Sequence, residues 1–244
     1  MNKQHGVLFM PEMVSALLAG RKTITRRLQG LDIINKNADN WAVVSYPECS
    51  PLGKYQFEDR LTSNVFIKNS PINVGDLIYV KETHWAFGYW VEQRGKVNKK
   101  GESKMQFIVY PVRFEPPGFY FKSYHEAEEA AKKADHTLVT EWYQRNSLFM
   151  RKADARLWYR ITKVKVERLD DITEMDAINE GIEFVRFHGQ EPYFKDYSGK
   201  QAEELTACNS FATLWESIHG KESLESNPWV FAYEFEAVKK PNIL

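Results

Sequence analysis

The chain of 244 residues is 43% hydrophobic and 14% aromatic, so it is long enough to bury one sizeable core within a single domain. Its 33 basic and 33 acidic residues give a formal net charge of zero, which argues against tight nonspecific binding to long duplexes. No apolar run approaches the roughly 18 residues that a membrane span needs, and the apolar stretch at the amino terminus is too short for a signal peptide. We therefore expect a cytoplasmic protein without a membrane partner.

Three helices are predicted in chain order from capping signals and apolar spacing. The first runs from Pro11 to Gly20, because proline suits the first helical position and glycine suits the stop. The second begins at Thr173, where Thr-Glu-Met-Asp forms a capping box, and Gly181 follows its end. The third, near 210–219, carries apolar residues at helical spacing that are expected to face the core, namely Phe211, Leu214, Trp215 and Ile218.

Strand-like runs are rich in β-branched and aromatic residues, and several alternate. In the run at 157–169, β-branched residues fill one face, which suits a barrel wall with one wet face. The other runs lie at 6–10, 42–46, 65–68, 76–85, 106–112 and 229–238. Stretches rich in Gly, Pro, Lys, Glu or Asn indicate insertions near 30–64, 97–144 and 183–208 within one domain spanning residues 1–244, and the middle insertion has its own predicted helix after Ser123.

The cysteines and histidines show no pattern typical of a metal site. Cys49 and Cys208 lack ligand spacing and a disulfide framework, so we expect reduced thiols. The 6 histidines are scattered without zinc spacing. We predict neither a metal nor another cofactor, and the sequence indicates no particular oligomeric state.

The segment from Gly20 to Arg27 has an unusual density of polar chemistry for a neutral protein. If the chain turns after Gly20, the i, i+3 spacing brings the Lys22 amine beside the Thr25 hydroxyl, whereas a straight strand would turn them to opposite faces. Two interpretations stay open: a solvated basic loop that enters a strand, or a loop that binds an anion or nucleobase and carries a nucleophile. The segment contains four cations and two hydroxyls: Arg21, Lys22, Arg26, Arg27, Thr23 and Thr25.

Glu180 stands at the end of the second predicted helix. A carboxylate there faces the negative end of the helix dipole, which typically disfavours it by about 0.3 to 1 kcal/mol. Either Glu180 is solvated or paired with a surface cation, or it faces Lys22 across a cleft.

The order of these motifs resembles the ASCH family, and most closely its larger phage- or prophage-encoded members. The string Gly-Arg-Lys-Thr-Ile-Thr-Arg-Arg from Gly20 is followed by Gly-Asp-Leu-Ile-Tyr-Val from Gly75, by Glu-Gly-Ile from Glu180, and by Asn-Pro-Trp-Val-Phe from Asn227. The resemblance covers roughly half of the chain. It implies an α+β fold with a PUA-like mixed β-barrel, a few flanking helices and long insertions, in a superfamily that binds RNA or modified bases beside the first helix.

The resemblance also implies a chemistry. Small bacterial ASCH proteins similar to this chain hydrolyse N4-acetylcytidine to cytidine and acetate with a Lys and a Thr from the loop and a Glu from the later helix. Lys22, Thr25 and Glu180 match these positions. In the implied reaction, Lys22 takes the proton of Thr25 while the hydroxyl attacks the acyl carbon, and Glu180 handles the proton on the departing amine or positions water.

The remaining candidates are binding residues. Contacts to a substrate or nucleic acid are expected from Arg21, Thr23, Arg26, Arg27, Glu82 and Trp85. Trp85 follows a predicted strand, where it either stacks on a base or packs in the core.

Three functions remain open at this point. The first is an amidohydrolase for N4-acylated cytidine or a related modified pyrimidine. The second is a non-catalytic module that binds RNA or a modified base, with the loop cations as phosphate contacts. The third and weaker one is a ribonuclease. The expected partner is a modified nucleoside, single-stranded RNA or an extruded nucleotide, and zero net charge favours the smaller ligand.

Overall fold

The structure is a computed structural model that describes residues 2–45, 53–133, 140–186, 193–199, 203–204 and 206–241. These residues form a mixed α+β fold of several sheets and a few helices, as the sequence predicted. Cys49 and part of each predicted insertion lie outside the described residues. No helix in the described ranges is long and apolar enough to cross a membrane.

The helices and strands are numbered in chain order. The helices are α1 (Pro11–Leu18), α2 (Tyr124–Lys133), α3 (Glu174–Asn179), α4 (Ala207–His219) and α5 (Lys221–Glu225). The first seven strands are β1 (Gln4–Leu8), β2 (Ile24–Arg27), β3 (Trp41–Ser45), β4 (Lys54–Asp59), β5 (Val65–Asn69), β6 (Leu77–Lys81) and β7 (His84–Val97). The others are β8 (Ser103–Arg113), β9 (Glu141–Arg145), β10 (Trp158–Arg168), β11 (Phe184–Val185), β12 (Tyr193–Lys195), β13 (Glu203–Glu204) and β14 (Trp229–Ala237).

The chain packs as two compact units. The first consists of the described residues within 1–5, 12–79 and 157–242, and the second of those within 6–11 and 80–156. The strands lie in four sheets with the orders β1-β6-β10-β14-β2, β3-β4-β5, β8-β7-β9 and β11-β12-β13. Among the described residues no closed barrel is found, and the PUA-like barrel stays a prediction.

The centre of the first unit is the antiparallel pairing of β10 with β14, which β2 extends at the sheet edge. In β2, Arg26 lies opposite Ala232 of β14, and Thr25 lies opposite Tyr233. Because successive side chains of a strand point to opposite faces, Thr25 and Arg26 lie on different faces of this sheet.

The face that carries Tyr233 is apolar and packs against β4. The ring centroids of Tyr55 and Phe231 are 5.4 Å apart, and those of Phe57 and Trp229 are also 5.4 Å apart. The Tyr55 hydroxyl donates a hydrogen bond of 2.7 Å to the carbonyl of Val164. The phenol therefore adds its large apolar area to the core without leaving its polar end unsatisfied.

Helix α4 confirms the third predicted helix but begins earlier and buries less of its apolar face. The Thr206 hydroxyl caps it by accepting a hydrogen bond from the Asn209 amide at 3.1 Å. Phe211, Leu214 and Trp215 are buried, as expected. Ile218 is 48% exposed, so its expected place in the core was wrong. Residues 217–219, at the end of the helix, are all exposed.

The second unit has an aromatic core between its sheet and α2. Phe121, Ala127 and Tyr143 form a buried cluster, against which Trp90 and Phe107 pack. The predicted helix after Ser123 is α2, and the hydroxyl of Ser123 accepts a hydrogen bond of 3.2 Å from the amide of Glu126. This cap satisfies one of the free amides at the helix start.

Helix α3 begins and ends where the sequence predicts. The Thr173 hydroxyl accepts a hydrogen bond of 3.1 Å from the Asp176 amide, and Glu180 is the C-cap residue. Gly181 follows with φ of +94°. A Cβ atom at Gly181 would lie 2.8 Å from Cβ of Ala16 and 3.0 Å from Cβ of Lys22. Glycine therefore permits both the backbone turn and the close approach of α3 to α1 and the following loop.

We predict that Gly181→Ala destabilises the first unit more than Gly20→Ala does. Both glycines have positive φ, but a Cβ atom at Gly20 would meet no atom within 4 Å. The backbone strain of about 1 to 2 kcal/mol is thus common to both variants, whereas overpacking adds about 1 to 3 kcal/mol only at Gly181. Urea unfolding of the two variants measures the difference. Equal losses would show that the contacts with Ala16 and Lys22 relax without cost.

Candidate functional site

The loop after α1 is tied by its backbone to the ends of two helices. The amides of Arg21 and Lys22 donate to the carbonyl of Ala16 at 2.9 and 3.3 Å. The amide of Thr23 donates to the carbonyl of Asn179 in α3 at 2.8 Å. These bonds use carbonyls that the helix ends leave without intrahelical partners, so the loop is fixed where its side chains carry chemistry.

Lys22 and Glu180 meet directly. Lys22 Nζ lies 2.5 Å from Glu180 Oε2 and also donates to the Glu180 backbone carbonyl at 2.6 Å. Their side chains are only 2% and 5% exposed. The carboxylate at the end of α3 is thus neither solvated nor paired with a surface cation, and it meets Lys22 in a closed contact instead of across an open cleft.

Arg26 joins the same carboxylate to two others. Its Nε donates to Glu167 Oε1 at 2.8 Å, and its Nη1 donates to Glu180 Oε1 at 3.2 Å. Its Nη2 lies 3.3 Å from Asp176 Oδ2. The guanidinium is fully buried, and its Cζ lies 5.8 Å from the ring centroid of Phe211 in α4. Three anions therefore surround one buried guanidinium.

Lys165 completes this arrangement from β10. Its Nζ lies 2.8 Å from Glu167 Oε2 and 3.4 Å from Asp176 Oδ2. The resulting group, called the charge cluster below, contains three cations and three carboxylates: Lys22, Arg26, Lys165, Glu167, Asp176 and Glu180. Because the charges balance and each is paired, the cluster avoids the large penalty of an isolated buried ion.

The pKa values of the three cations in the charge cluster are not all shifted in the same direction. Burial lowers the pKa of Lys22, with Arg27 and Arg26 acting in the same sense, and the attraction of Glu180 only partly offsets this. Burial opposes the charge of Arg26 and Lys165 too, but their carboxylate neighbours raise the pKa of both. Lys22 is therefore the cation of the cluster that most readily gives up a proton.

Thr25 lies away from these contacts. It is buried on β2, on the sheet face opposite Arg26 and beside Tyr233. Its hydroxyl makes no side-chain hydrogen bond to any residue that the structure describes. The chain turns only as far as Thr23 and is extended from Ile24, so the spacing of Lys22 and Thr25 does not by itself bring amine and hydroxyl into hydrogen-bond contact.

The other loop residues differ in exposure. Arg21 is exposed, and its Nη1 donates to the Gly181 carbonyl at 3.0 Å. Thr23 is exposed, whereas Arg27 is half-buried, and burial lowers the pKa of the Arg27 guanidinium. Of the four loop cations, two thus belong to the charge cluster and are already neutralised by carboxylates.

A polar cavity of about 210 Å³ lies against the charge cluster. Asp176 belongs to both, and Thr23 and Asn179 are the chain neighbours of Lys22 and Glu180. The full lining is Thr23, Ile24, Thr162, Asp176, Asn179, Glu234 and Phe235. The cavity offers hydroxyl, amide and carboxylate groups to a small polar ligand.

Glu82 and Trp85 belong to the second unit and have structural partners there. Glu82 is buried and accepts two hydrogen bonds from Arg156, Nε to Oε1 at 3.1 Å and Nη2 to Oε2 at 2.9 Å. Trp85 packs edge-on against Tyr120 with ring centroids 5.8 Å apart. Its buried indole Nε1 has no hydrogen-bond partner among the described residues.

Sequence reasoning missed half of the charge cluster, namely Lys165, Glu167 and Asp176. A partial signal was present, because Lys165 and Glu167 alternate on one face of β10, and Asp176 precedes Glu180 by one helical turn. The register of β10 with β14 and of β14 with β2 brings Lys165 and Glu167 next to Arg26. The spacing of residues along the sequence does not encode this register.

Comparisons with protein-family models, with curated proteins and with solved structures give no match to this chain. Within the described ranges, no group of three or more His, Cys, Asp or Glu side chains is placed to hold a metal ion.

We predict that Lys22 and Glu180 are strongly coupled in stability. Lys22→Met or Glu180→Gln alone should lower the free energy of unfolding by about 3 to 5 kcal/mol, because each change removes a counter-ion of a charge that stays buried. The double variant should lose clearly less stability than the sum of the two single losses. Urea unfolding of wild type, the two single variants and the double variant gives the coupling free energy.

Lys221 and Glu225 supply the control, since they form an exposed pair with Nζ and Oε1 3.1 Å apart. The corresponding Lys221→Met and Glu225→Gln variants should unfold almost like wild type. Additive losses at Lys22 and Glu180 would contradict a paired buried contact.

Proposed function

We propose that this chain is an ASCH-type amidohydrolase with a PUA-like fold, which removes the acyl group from N4 of a modified cytidine such as N4-acetylcytidine. The observation that carries the proposal is the buried 2.5 Å contact between Lys22 and Glu180. A lysine with a lowered pKa beside a carboxylate is an acid-base pair of the kind that amide hydrolysis needs.

The sequence motifs support the same reaction. Lys22, Thr25 and Glu180 match the Lys, Thr and Glu of the small ASCH amidohydrolases, and two of the three meet in space although 158 positions separate them. The charge cluster gives this contact a rigid setting, because Arg26 holds the other oxygen of Glu180. A preorganised pair of this kind loses little free energy to reorganisation during the reaction.

In the proposed reaction water is the nucleophile, and Lys22 and Glu180 together supply and recover the protons. Glu180 takes a proton from water while the water oxygen attacks the acyl carbon. The Lys22 ammonium then donates a proton to N4 as the C–N bond breaks, and the lowered pKa of Lys22 favours this donation. The proton on Glu180 returns to Lys22 through their contact. The products are cytidine and the carboxylic acid.

Thr25 has a distinct place in this scheme. Because Thr25 is buried on the sheet face opposite Arg26, makes no hydrogen bond to Lys22 and does not line the cavity, we give Thr25 no chemical step in this scheme. The alternative that the resemblance implies, Thr25 as the nucleophile, requires an acyl-threonine intermediate.

The site favours a small substrate over a polymer. The adjoining cavity of about 210 Å³, which Thr23, Asp176 and Asn179 line but Lys22 and Glu180 do not, is smaller than the pockets of roughly 300 to 1,000 Å³ that hold drug-sized ligands. The carboxylates of the charge cluster already neutralise Lys22 and Arg26, so these two cations are not available as phosphate contacts. A nucleoside or a single extruded nucleotide fits these features better than a long strand.

We predict that the purified chain converts N4-acetylcytidine to cytidine and that Lys22→Arg abolishes the conversion. Arginine keeps the positive charge toward Glu180 but cannot release a proton near neutral pH. Chromatographic detection of cytidine should show a loss of about 10² to 10⁴-fold, the usual contribution of general acid-base catalysis. Glu180→Gln should lose a similar amount, and the Lys22→Arg/Glu180→Gln double variant should be hardly worse than either single one.

Lys221→Arg is the matched control, because Lys221 is exposed and lies outside the charge cluster, and this variant should hydrolyse like wild type. Thr25→Ala separates the two schemes, since activity should largely survive if water attacks and disappear if Thr25 is the nucleophile. A folded Lys22→Arg protein with wild-type activity would disprove the proposed role of Lys22. An inert wild type whose affinity for the nucleoside depends on Lys22 would favour the binding module instead.

A further inference from the structure

The second unit contains a strongly basic hairpin, called the basic ribbon below and defined as residues 91–106. Strands β7 and β8 pair in it from Val91 opposite Gln106 to Val97 opposite Ser103. The segment has five basic and two acidic residues, whereas the whole chain has formal net charge zero. The remaining residues therefore carry the compensating surplus of negative charge. The basic residues of the ribbon are Arg94, Lys96, Lys99, Lys100 and Lys104.

The tip of the basic ribbon is a turn closed by hydrogen bonds of Asn98. Its amide donates to the Glu102 carbonyl at 2.8 Å, and its carbonyl accepts from the Gly101 amide at 3.1 Å. Its side-chain Oδ1 accepts from the amides of Lys100 and Glu102 at 2.8 and 3.1 Å. Residues 95–104 are all exposed, so this turn presents its lysines to solvent in a defined arrangement.

The two carboxylates of the basic ribbon are occupied by uncharged partners. Glu92 accepts a hydrogen bond from the Ser103 hydroxyl across the strands. Glu102 Oε2 accepts a hydrogen bond of 2.8 Å from the Asn98 side-chain amide. Lys96, Lys99, Lys100 and Lys104 form no ion pair with any described residue. In contrast to the cations of the charge cluster, these four lysines are not paired with a carboxylate among the described residues.

The composition and shape of the basic ribbon favour a duplex over a single strand. Residues 91–106 include no aromatic side chain, and proteins that bind single strands rely on aromatic residues to stack the bases. The major groove of B-DNA is about 12 Å wide and admits a two-stranded β-ribbon. Beyond the pair of Val91 with Gln106, the three residues of β8 at 103–105 reach about 10 Å, which exceeds the groove depth of about 8.5 Å. Lysines contact phosphates as point charges and do not read bases in a bidentate way.

We propose that the basic ribbon binds the phosphate backbone of double-stranded DNA without sequence preference. This function is separate from the charge cluster and does not depend on hydrolysis of a modified cytidine. Zero net charge argues against long-range attraction of the whole chain to a duplex, so we expect a local contact of modest affinity that engages about four or five phosphates.

The test is fluorescence anisotropy with a labelled DNA duplex of about 20 base pairs and mixed sequence, titrated at several salt concentrations. Four lysine contacts should weaken wild-type binding about a hundredfold between roughly 50 and 200 mM salt, since each contact contributes about 0.9 to the slope. Changing Lys96, Lys99, Lys100 and Lys104 together to Gln should reduce affinity at low salt at least about tenfold and remove most of the slope.

A control variant carries the same charge change elsewhere, with Lys36, Lys122, Lys133 and Lys239 changed to Gln, all of them exposed. It should bind the duplex within about twofold of wild type, and thermal unfolding should show both variants folded, because exposed Lys→Gln changes alter stability little. Equal losses in the two variants, no duplex binding by wild type, or tighter binding to single-stranded RNA of the same length would each overturn the proposal.

Discussion

The first unit depends on the compensation of buried charge. Lys22, Arg26 and Lys165 come from the loop after α1, from β2 and from β10, and each is paired with a carboxylate of β10 or α3. A buried ion without a partner costs several kcal/mol, so each of these elements fixes the position of the others. The short α3 is too small to be stable alone. Its carboxylates anchor it to the sheet, and Gly181 allows it to come close enough.

The three buried cations are not compensated equally, and this difference shifts their pKa values in opposite directions. Among the described residues, Arg26 is ion-paired with three carboxylates and Lys165 with two, whereas the ion pair described for Lys22 is with Glu180. Burial therefore prevails for Lys22 and lowers its pKa, while the other two cations have raised pKa values. Lys22, the cation with the lowered pKa, is the residue to which the proposed function assigns the proton donation.

Much of this site was predictable from local signals, and the rest depended on long-range pairing. The capping hydroxyl of Thr173 and the glycine at 181 place Glu180 at the end of α3, because both act within one helical turn. The partnership of Lys22 with Glu180 was a stated alternative, but the roles of Glu167 and Asp176 follow only from the register of β2 with β14 and β14 with β10. The net charge of zero also did not predict how charge is distributed along the chain. The charge cluster contains equal numbers of cations and carboxylates, whereas the basic ribbon has an excess of cations.

The most direct test of the central claim is an NMR titration of the Lys22 side-chain amine, assigned by comparison with Lys22→Met. We expect Lys22 to lose its proton below the pKa of about 10.4 that is typical of a lysine side chain in water. Glu180→Gln should lower the pKa of Lys22 further, because it removes the anion that favours the charged amine. A Lys22 amine that titrates together with the exposed lysines and does not respond to Glu180→Gln would contradict the account.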